Sequence, residues 1–207
     1  MFKDRTEAGS LLAVQLKKYK NEPGIVLAIP RGGIPVACIV AKQLKFPMSV
    51  VLTKKIGHPL NKEYAIGAAS LTDYFLVPHE NVSEQYIQEE LKSIRIALNQ
   101  MHEKLMGKRP PEKLEGKTLI VVDDGIATGS TMLATINLLR HSNPRKIIIA
   151  VPVASQNAIQ KLSKQADEVV TVLSPEVFSG VGAFYNDFTQ VSDTEAISCM
   201  KKSAKPI

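Results

Sequence analysis

The chain has 207 residues, of which 26 are basic and 20 acidic, so its formal net charge is +6. With 44% hydrophobic and 22% charged residues, the composition is that of an ordinary globular protein, and a chain of this length buries a core without staples. These values exclude a disordered chain, a fibrous repeat and a small disulfide scaffold. We expect residues 1–207 to form a single domain.

The spacing of the cysteines and the length of the apolar runs indicate in which cellular compartment the protein is expected. Cys38 and Cys199 are far apart and neither belongs to a C-x-x-C pair, so they predict neither a zinc site nor a disulfide framework. The N-terminal segment MFKDRTEAGS has no apolar stretch typical of a signal peptide, and the longest apolar runs fall short of the ~18–20 residues that cross a bilayer. The sequence therefore predicts a soluble cytoplasmic protein with no membrane partner.

The excess of positive charge leaves two interpretations open. Lysines are scattered along the chain, tryptophan is absent and aromatic residues make up 5%, which is unlike a nucleic-acid stacking platform. A modest positive charge also suits a site for small, strongly anionic substrates. Because no basic segment stands out, we expect no nucleic-acid partner.

Helical and strand patterns alternate along the chain. An amphipathic helix covers the first 20 residues, with Asp4 as its N-cap and Glu7 three residues later. Continuously apolar strands that alternate with helices are typical of an open, mostly parallel, twisted α/β sheet with helices on both faces. The other predicted elements are strands 25–30, 48–54, 118–123, 146–152 and 168–173, and helices 34–45, 84–106, 129–141 and 155–166.

Two regions interrupt this alternation. Residues 55–82 contain glycines and prolines among short strand-like pieces, and we expect a flexible loop and a hairpin there. Residues 174–191 are rich in aromatic residues and glycine and follow the last predicted strand. The chain is therefore expected to be one α/β domain with an accessory flap.

The most informative segment is TLIVVDDGIATGSTM, residues 118–132. Asp123 and Asp124 follow an apolar strand, at the edge of the sheet where ligands of open α/β folds bind. The next residues offer backbone amides at a helix N-terminus, which favour a phosphate, while a carboxylate accepts hydrogen bonds from a vicinal diol. Together these features predict a sugar-phosphate site. Its loop residues are Gly125, Ile126, Ala127, Thr128, Gly129, Ser130 and Thr131.

Other interpretations of this segment fit less well. A nucleotide-triphosphate loop requires a lysine after its second glycine, and Ser130 follows Gly129 here. A dinucleotide-binding turn would need three glycines in the pattern G-x-G-x-x-G. A plain turn followed by a helix cap explains either half of the segment alone, but not both halves in this order after a buried strand.

A second strand–turn–helix unit lies upstream, in AIPRGGIPVA, residues 28–37. Gly32 and Gly33 allow the backbone to approach a ligand closely, and Arg31 brings a fixed charge that suits phosphate oxygens. A simple connection of strand to helix remains an equal alternative for this segment taken by itself.

The segment VVDDGIATGST resembles the phosphoribosyl pyrophosphate (PRPP) binding motif of the type I phosphoribosyltransferases. The resemblance implies that Asp123 and Asp124 bind the ribose 2- and 3-hydroxyls and that residues 125–131 hold the 5-phosphate. It also implies a pyrophosphate-binding loop at Arg31, Gly32 and Gly33. The implied reaction joins a nitrogen of a nucleobase-like acceptor to ribose C1 of PRPP and releases pyrophosphate.

The same resemblance extends to the flap. Lys54 and Lys55 are expected at the end of the second strand, and the loop after them is expected to close over the reaction centre and exclude water. Within this loop, Glu63 and Tyr64 are candidate acid–base groups, whereas His58 is expected to be an ordinary exposed loop residue. The catalytic residues implied are Asp123, Asp124, Arg31, Lys54 and Lys55.

The resemblance further implies Mg²⁺, held mainly by pyrophosphate, ribose hydroxyls and water. No direct protein ligand is expected, and Asp123 and Asp124 are the candidates for one. The resemblance also implies a hood from the N-terminal helix and residues 174–207, in which Phe184 or Tyr185 stacks on the base, although core packing is an equal alternative for both. We also expect a homodimer or a higher homo-oligomer.

Two departures from the family pattern bear on the acceptor. Ser130 stands where the family usually has glycine, and Ala127 stands where enzymes for 6-oxopurines commonly have aspartate. The segment is thus more similar to that of adenine- or orotate-type relatives. A non-catalytic PRPP-binding regulator is the main alternative function, while a sugar-phosphate hydrolase would require a nucleophile and base that the sequence does not offer.

Overall fold

The computed structural model describes residues 1–203, which fold around two β-sheets. Two short 3-10 helices cover Lys17–Tyr19 and Val181–Phe184. The α-helices are α1 (Arg5–Gln15), α2 (Gly33–Leu44), α3 (Glu84–Met106), α4 (Ser130–Arg140), α5 (Gln156–Leu162) and α6 (Asp193–Ser203). The strands are β1 (Gly24–Ala28), β2 (Met48–Val50), β3 (Lys54–His58), β4 (Asn61–Ala69), β5 (Tyr74–Leu76), β6 (Thr118–Val122), β7 (Lys146–Val153) and β8 (Glu168–Leu173).

The larger sheet has the strand order β2-β1-β6-β7-β8, and all of its neighbouring strands are parallel. From β1 the chain continues to one side of the sheet, and from β6 it continues to the other. The carboxyl ends of β1 and β6 therefore flank a crevice at the point where the strand order reverses, which is where open α/β sheets bind their ligands.

Alternate residues of the central strands are buried on opposite faces of this sheet, which explains why their sequences are continuously apolar. Val26 and Ile120 pack in the core under α1, α2 and α3. Ile25 and Leu119 pack in a second core under α4 and α5. The expected parallel α/β sheet with helices on both faces is confirmed.

The first helix is shorter than predicted. Asp4 caps it as expected, because its carboxylate accepts hydrogen bonds from the backbone amides of Thr6 at 2.8 Å and Glu7 at 2.9 Å. The helix ends at Gln15 rather than at residue 20, and the 3-10 turn Lys17–Tyr19 follows. Tyr19 in that turn is buried against the main core.

The second predicted strand is also too long. The backbone amide of Val51 makes a hydrogen bond to the carbonyl of Ala28. The hydroxyl of Thr53 then bonds to that of Thr135 on α4, and the chain leaves the sheet. Lys54 and Lys55 consequently begin β3 in another sheet, and the expectation that they end the second strand is wrong.

Residues 55–82 are more regular than the expected loop. They contain most of a three-stranded antiparallel sheet in the order β3-β4-β5, and the hairpin expected from the strand-like pieces 65–70 and 74–77 is its β4–β5 pair. A second hairpin, which was not predicted, joins β3 to β4: Lys54 pairs with Ala69 at its base, and His58 pairs with Asn61 at its tip. We refer to residues 54–76 as the flap.

Within residues 1–203, no helix combines the length and apolar character required to cross a bilayer. Of the predicted hood segments, residues 204–207 lie outside the described residues.

Candidate functional site

The acidic pair lies at the crevice, directly after β6. The carboxylate of Asp123 accepts the backbone N–H of Asp124 at 2.9 Å. Burial, together with the neighbouring Asp124 carboxylate, raises the pKa of Asp123 above its ordinary range. The pair therefore holds two acidic groups in a space that disfavours two full negative charges.

The two glycines after Arg31 are required by contact with this acidic pair. A Cβ at Gly32 would lie 2.2 Å from a carboxylate oxygen of Asp124, and a Cβ at Gly33 would lie 2.6 Å from the carbonyl oxygen of Val122. Both distances are far below van der Waals contact, so a side chain at Gly32 would displace the Asp124 carboxylate and one at Gly33 would push the loop away from the backbone that follows β6. The glycines thus bring the loop after β1 against the carboxylates.

Arg31 stands on the other side of the crevice and is held by α6. Its Nη1 lies 3.0 Å from a carboxylate oxygen of Asp193, the first residue of that helix. Lys104 also pairs with Asp193, and these two cations lower the pKa of the Asp193 carboxyl. The side chain of Arg31 is 37% exposed, and it lines the cleft next to the acidic pair.

The loop after the acidic pair forms a cleft of about 250 Å³, which we call the loop cleft. The Ser155 hydroxyl donates to the Ala127 carbonyl at 2.6 Å, and Ile126 pairs with Ala154 beyond the end of β7. These bonds fix the loop at its neighbouring strand. The cleft is lined by Asp123, Val181 and residues 125–132.

Gly129 is the turning point of this loop. It has φ = +77°, in the left-handed region, and acts as N-cap of α4 without any side-chain cap. The first amides of α4 consequently face the cleft with no side chain of their own helix bonded to them. Ser130 follows as the first helical residue, so the serine meets an ordinary helical backbone. The left-handed backbone that requires glycine is at Gly129 and not at residue 130.

A second cleft, of about 340 Å³, adjoins the first; we call it the carboxylate cleft. Asp123 lines both clefts, so a ligand that spans them must pass this side chain. The carboxylate cleft is lined by Arg5, Arg31, Gly32, Asp123, Asp124, Phe188, Gln190 and Val191.

Arg5 is a residue of this cleft that the sequence reasoning missed. Its Nε and Nη2 lie 2.9 Å and 2.8 Å from the same Asp124 carboxylate oxygen. Its Nη1 donates to the Thr189 carbonyl at 2.9 Å, and its guanidinium carbon lies 4.1 Å above the ring centre of Phe188. Arg5 therefore joins the start of α1, the acidic pair and the segment after the last strand.

The variant Arg5→Ala should lower the free energy of unfolding by about 1–3 kcal/mol, because it leaves a largely buried carboxylate without its partner. The side chain of Asp124 is 13% exposed, and that of Arg5 is 11% exposed. Denaturant unfolding measures the change. A loss below about 0.5 kcal/mol, as expected for an exposed pair, would contradict this role.

Neither of the two aromatic candidates for the base site lines the carboxylate cleft. Tyr185 is buried, packs on Phe2 and donates its hydroxyl to the Asp124 carbonyl at 2.6 Å. Tyr185 therefore fits the core-packing alternative, and its hydroxyl holds the backbone of the acidic pair in place. Phe184 packs on Phe178 in the same small cluster and does not line the carboxylate cleft. The aromatic residue in that cleft is Phe188, which the sequence reasoning missed.

The two lysines of the flap have different positions. Lys54 lines a largely apolar cleft of about 310 Å³ together with Pro30 and Thr131, so it adjoins both site loops. Lys55 is the next residue along β3 and therefore extends to the opposite face of the strand. It lines none of the three clefts described.

The other flap candidates lie apart from the acidic pair. His58 and Tyr64 line a separate cleft at the hairpin tip. His58 makes a hydrogen bond to the Glu80 carbonyl at 3.3 Å and is half-buried. Glu63 is exposed on β4. In this arrangement the flap does not bring these three side chains to the carboxylates.

The raised pKa of Asp123 predicts a pH-dependent stability. Below the ordinary aspartate pKa of ~3.9, Asp123 is protonated in both the folded and the unfolded state. As the pH rises, Asp123 ionises first in the unfolded chain. The free energy of unfolding therefore falls until the pH passes the pKa of Asp123 in the folded protein, which is about 8. Asparagine cannot ionise, so Asp123→Asn should gain in melting temperature relative to the parent between about pH 5 and about pH 8.

The matched control is Asp167→Asn. Although burial opposes the shift, the amide of Ile147 and Arg140 lower the pKa of Asp167. Its stabilisation is therefore complete above the ordinary aspartate range, and its variant should show a constant deficit between the same two pH values. Thermal unfolding of both variants decides the matter. A constant difference for Asp123→Asn as well would contradict the prediction.

Comparisons with known proteins give matches over most of the chain. The family model described as "Phosphoribosyl transferase domain" matches residues 6–188. A curated protein of Mycobacterium tuberculosis (strain ATCC 25618 / H37Rv), "Putative phosphoribosyl transferase Rv0571c", is 34% identical over 209 residues, covering 98% of this chain and 47% of that protein. This chain spans about half the length of the curated relatives it matches.

Two solved structures extend the comparison. The protein TT1426 from Thermus thermophilus is 36% identical with a TM-score of 0.89, and the match covers 99% of this chain and 100% of that one. A hypothetical protein from Neisseria gonorrhoeae with bound ppGpp has 15% identity and a TM-score of 0.52, covering 98% of this chain and 96% of that one. The second likeness concerns the fold alone.

Proposed function

The chain belongs to the phosphoribosyl transferase domain family, and from this premise we propose that it transfers the 5-phosphoribosyl group of PRPP to a nitrogen atom of a nucleobase-like acceptor. Pyrophosphate is the second product. The observation that carries the proposal is the position of Asp123 and Asp124 between two clefts, with a phosphate-type loop on one side and Arg31 on the other.

Each part of PRPP has a complementary surface in this proposal. The 5-phosphate accepts hydrogen bonds from the first amides of α4 and from the hydroxyls of Thr128, Ser130 and Thr131. The ribose hydroxyls donate to Asp123 and Asp124. The pyrophosphate group lies next to Arg31. The glycines that follow, Gly32 and Gly33, allow this loop to pack closely against the carboxylates.

The proposed reaction requires no covalent nucleophile from the protein. The bond between ribose C1 and pyrophosphate breaks as the acceptor nitrogen bonds to C1, and the transition state carries positive charge on the sugar, as in glycoside hydrolysis. The protein holds the two reactants in line. Arg31 and Lys54 neutralise charge that grows on the departing pyrophosphate.

Magnesium fits the donor chemistry of this site. Among residues 1–203, no group of three or more His, Cys, Asp or Glu side chains could hold a metal ion, whereas Asp123 and Asp124 offer hard oxygen donors. Mg²⁺ binds with few protein ligands when a substrate supplies phosphate oxygens. We therefore expect it to accompany the pyrophosphate group, with the acidic pair as its protein contact. When bound, it would neutralise part of the pyrophosphate charge.

Closure of the flap is proposed to exclude water from the reaction centre. Amide hydrogens of the exposed hairpin tip, residues 59–64, should then exchange fast in the free protein and slowly with PRPP and Mg²⁺ bound. The buried strand Thr118–Val122 serves as internal control, since its amides should be protected in both states. Equal exchange of residues 59–64 in both states would argue against closure.

The proposed function is tested by a screen of nucleobases, with adenine and orotate included, in the presence of PRPP and Mg²⁺. Release of pyrophosphate that depends on one acceptor supports the transferase. Binding of PRPP without release for any base would favour a regulatory PRPP-binding protein. Absence of PRPP binding would overturn both.

A further inference from the structure

The fold brings together the two cysteines that the sequence separates by 161 positions. Cys38 lies on α2 and Cys199 on α6. The Cys38 sulfur is 3.2 Å from the carbonyl oxygen of Cys199 and 3.0 Å from the hydroxyl of Ser203. Both cysteines are free thiols, and neither is fully buried.

The two helices run side by side in the same direction. Arg31, just before α2, pairs with Asp193 at the start of α6. The two cysteines follow roughly one and a half helical turns later on each helix, where they meet again. The pair is therefore held by a packed interface, since α2 and α6 share the main core through Val40 and Met200.

The environment assigns different roles to the two thiols. Contact with the Cys199 side chain lowers the pKa of the Cys38 thiol, the hydroxyl of Ser203 and the charge of Lys202 act in the same direction, and burial opposes them. The same contact with Cys38 raises the pKa of Cys199. A thiolate beside a protonated thiol is the arrangement of an attacking and a resolving cysteine.

We propose that Cys38 and Cys199 form a peroxide-sensitive site that closes to a disulfide between α2 and α6. The Cys38 thiolate attacks one oxygen of a hydroperoxide, the O–O bond breaks, and Cys38 becomes a sulfenic acid as water or an alcohol leaves. The Cys199 sulfur then attacks the Cys38 sulfur, the S–O bond breaks, and a second water leaves. In sum, two thiols lose two electrons and two protons, and one peroxide is reduced.

The disulfide would join α6, which carries Asp193, to α2, which begins at the loop of Arg31. It would close a chain segment of more than 150 residues, so it should restrict the unfolded state strongly. We expect the melting temperature to rise by roughly 5–15 °C on oxidation, given the size of this chain. The rise should be reversed by dithiothreitol.

The test treats the full chain with one equivalent of hydrogen peroxide and maps its peptides without reduction. The expected product is a cross-linked pair of peptides that contain Cys38 and Cys199, lighter by two hydrogen atoms than the two free peptides. Two single variants separate the roles. Cys199→Ser should accumulate sulfenic or sulfinic acid at Cys38, whereas Cys38→Ser should react with peroxide much more slowly.

Three outcomes would overturn the proposal. They are a disulfide between two chains, stable sulfinic acid at Cys38 of the parent protein, and equal peroxide reactivity of the two single variants. As a control for folding, the melting temperature of each reduced variant is compared with that of the reduced parent.

Discussion

The double variant Asp123→Asn/Asp124→Asn is expected to bind PRPP roughly 100- to 10,000-fold more weakly than the parent. Each carboxylate is proposed to be ionised in the complex and to accept a hydrogen bond from a ribose hydroxyl, and a bond to a charged group contributes about 1.5–3 kcal/mol, or roughly 10- to 100-fold in affinity. Asparagine keeps the shape of aspartate, so the fold should remain. Calorimetric titration with PRPP and Mg²⁺ measures the loss.

Asp167→Asn is the control for this variant. Asp167 precedes β8 at the opposite end of the sheet, where it pairs with Arg140, so its removal tests the effect of losing an ionised aspartate away from the crevice. The control should bind PRPP as the parent does. Unchanged affinity in the double variant would remove the acidic pair from the site.

Arg31→Ala is expected to lower kcat more than it raises the KM for PRPP. Negative charge grows on pyrophosphate as its bond to C1 breaks, so a contact from Arg31 strengthens in the transition state, and only such contacts raise turnover. A charge-assisted bond in this position supplies ~2–4 kcal/mol, which corresponds to roughly 30- to 1000-fold in rate. Steady-state kinetics with the acceptor found in the screen measures both constants.

Arg140→Ala is a closely matched control. Arg140 and Arg31 each pair with an aspartate, and each arginine side chain is 37% exposed, but Arg140 lies at the other end of the sheet. Its removal should leave kcat and KM near the parent values. A normal kcat with a raised KM in Arg31→Ala would show that Arg31 binds PRPP without assisting departure of pyrophosphate.

Those parts of the fold that depend on local pattern could be predicted from the sequence. The apolar runs at β1, β6 and β7 are buried on both faces of the sheet, so their composition alone indicates parallel strands. The end of β2 could not be predicted, because it depends on a bond between Thr53 and Thr135, 82 positions apart. The flap likewise depends on pairing between strands rather than on composition.

The candidate site likewise contains some residues that could be predicted from the sequence and others that could not. Asp123, Asp124 and Gly129 lie in one contiguous motif, so their proximity follows from the sequence. The role of Arg5 depends on Asp124, 119 positions away, and that of Asp193 depends on Arg31, 162 positions away. An arginine at the start of an amphipathic helix gives no signal of its own, because its partner is supplied only by the fold.

The most direct test of the PRPP site is a calorimetric comparison of PRPP with ribose 5-phosphate, each titrated into the parent chain with Mg²⁺. The two ligands share the 5-phosphate and the ribose diol and differ in the pyrophosphate group. We predict saturable binding of one PRPP per chain, substantially tighter than that of ribose 5-phosphate, with the difference reduced in Arg31→Ala. Absence of PRPP binding, or equal affinity for the two ligands, would contradict the account.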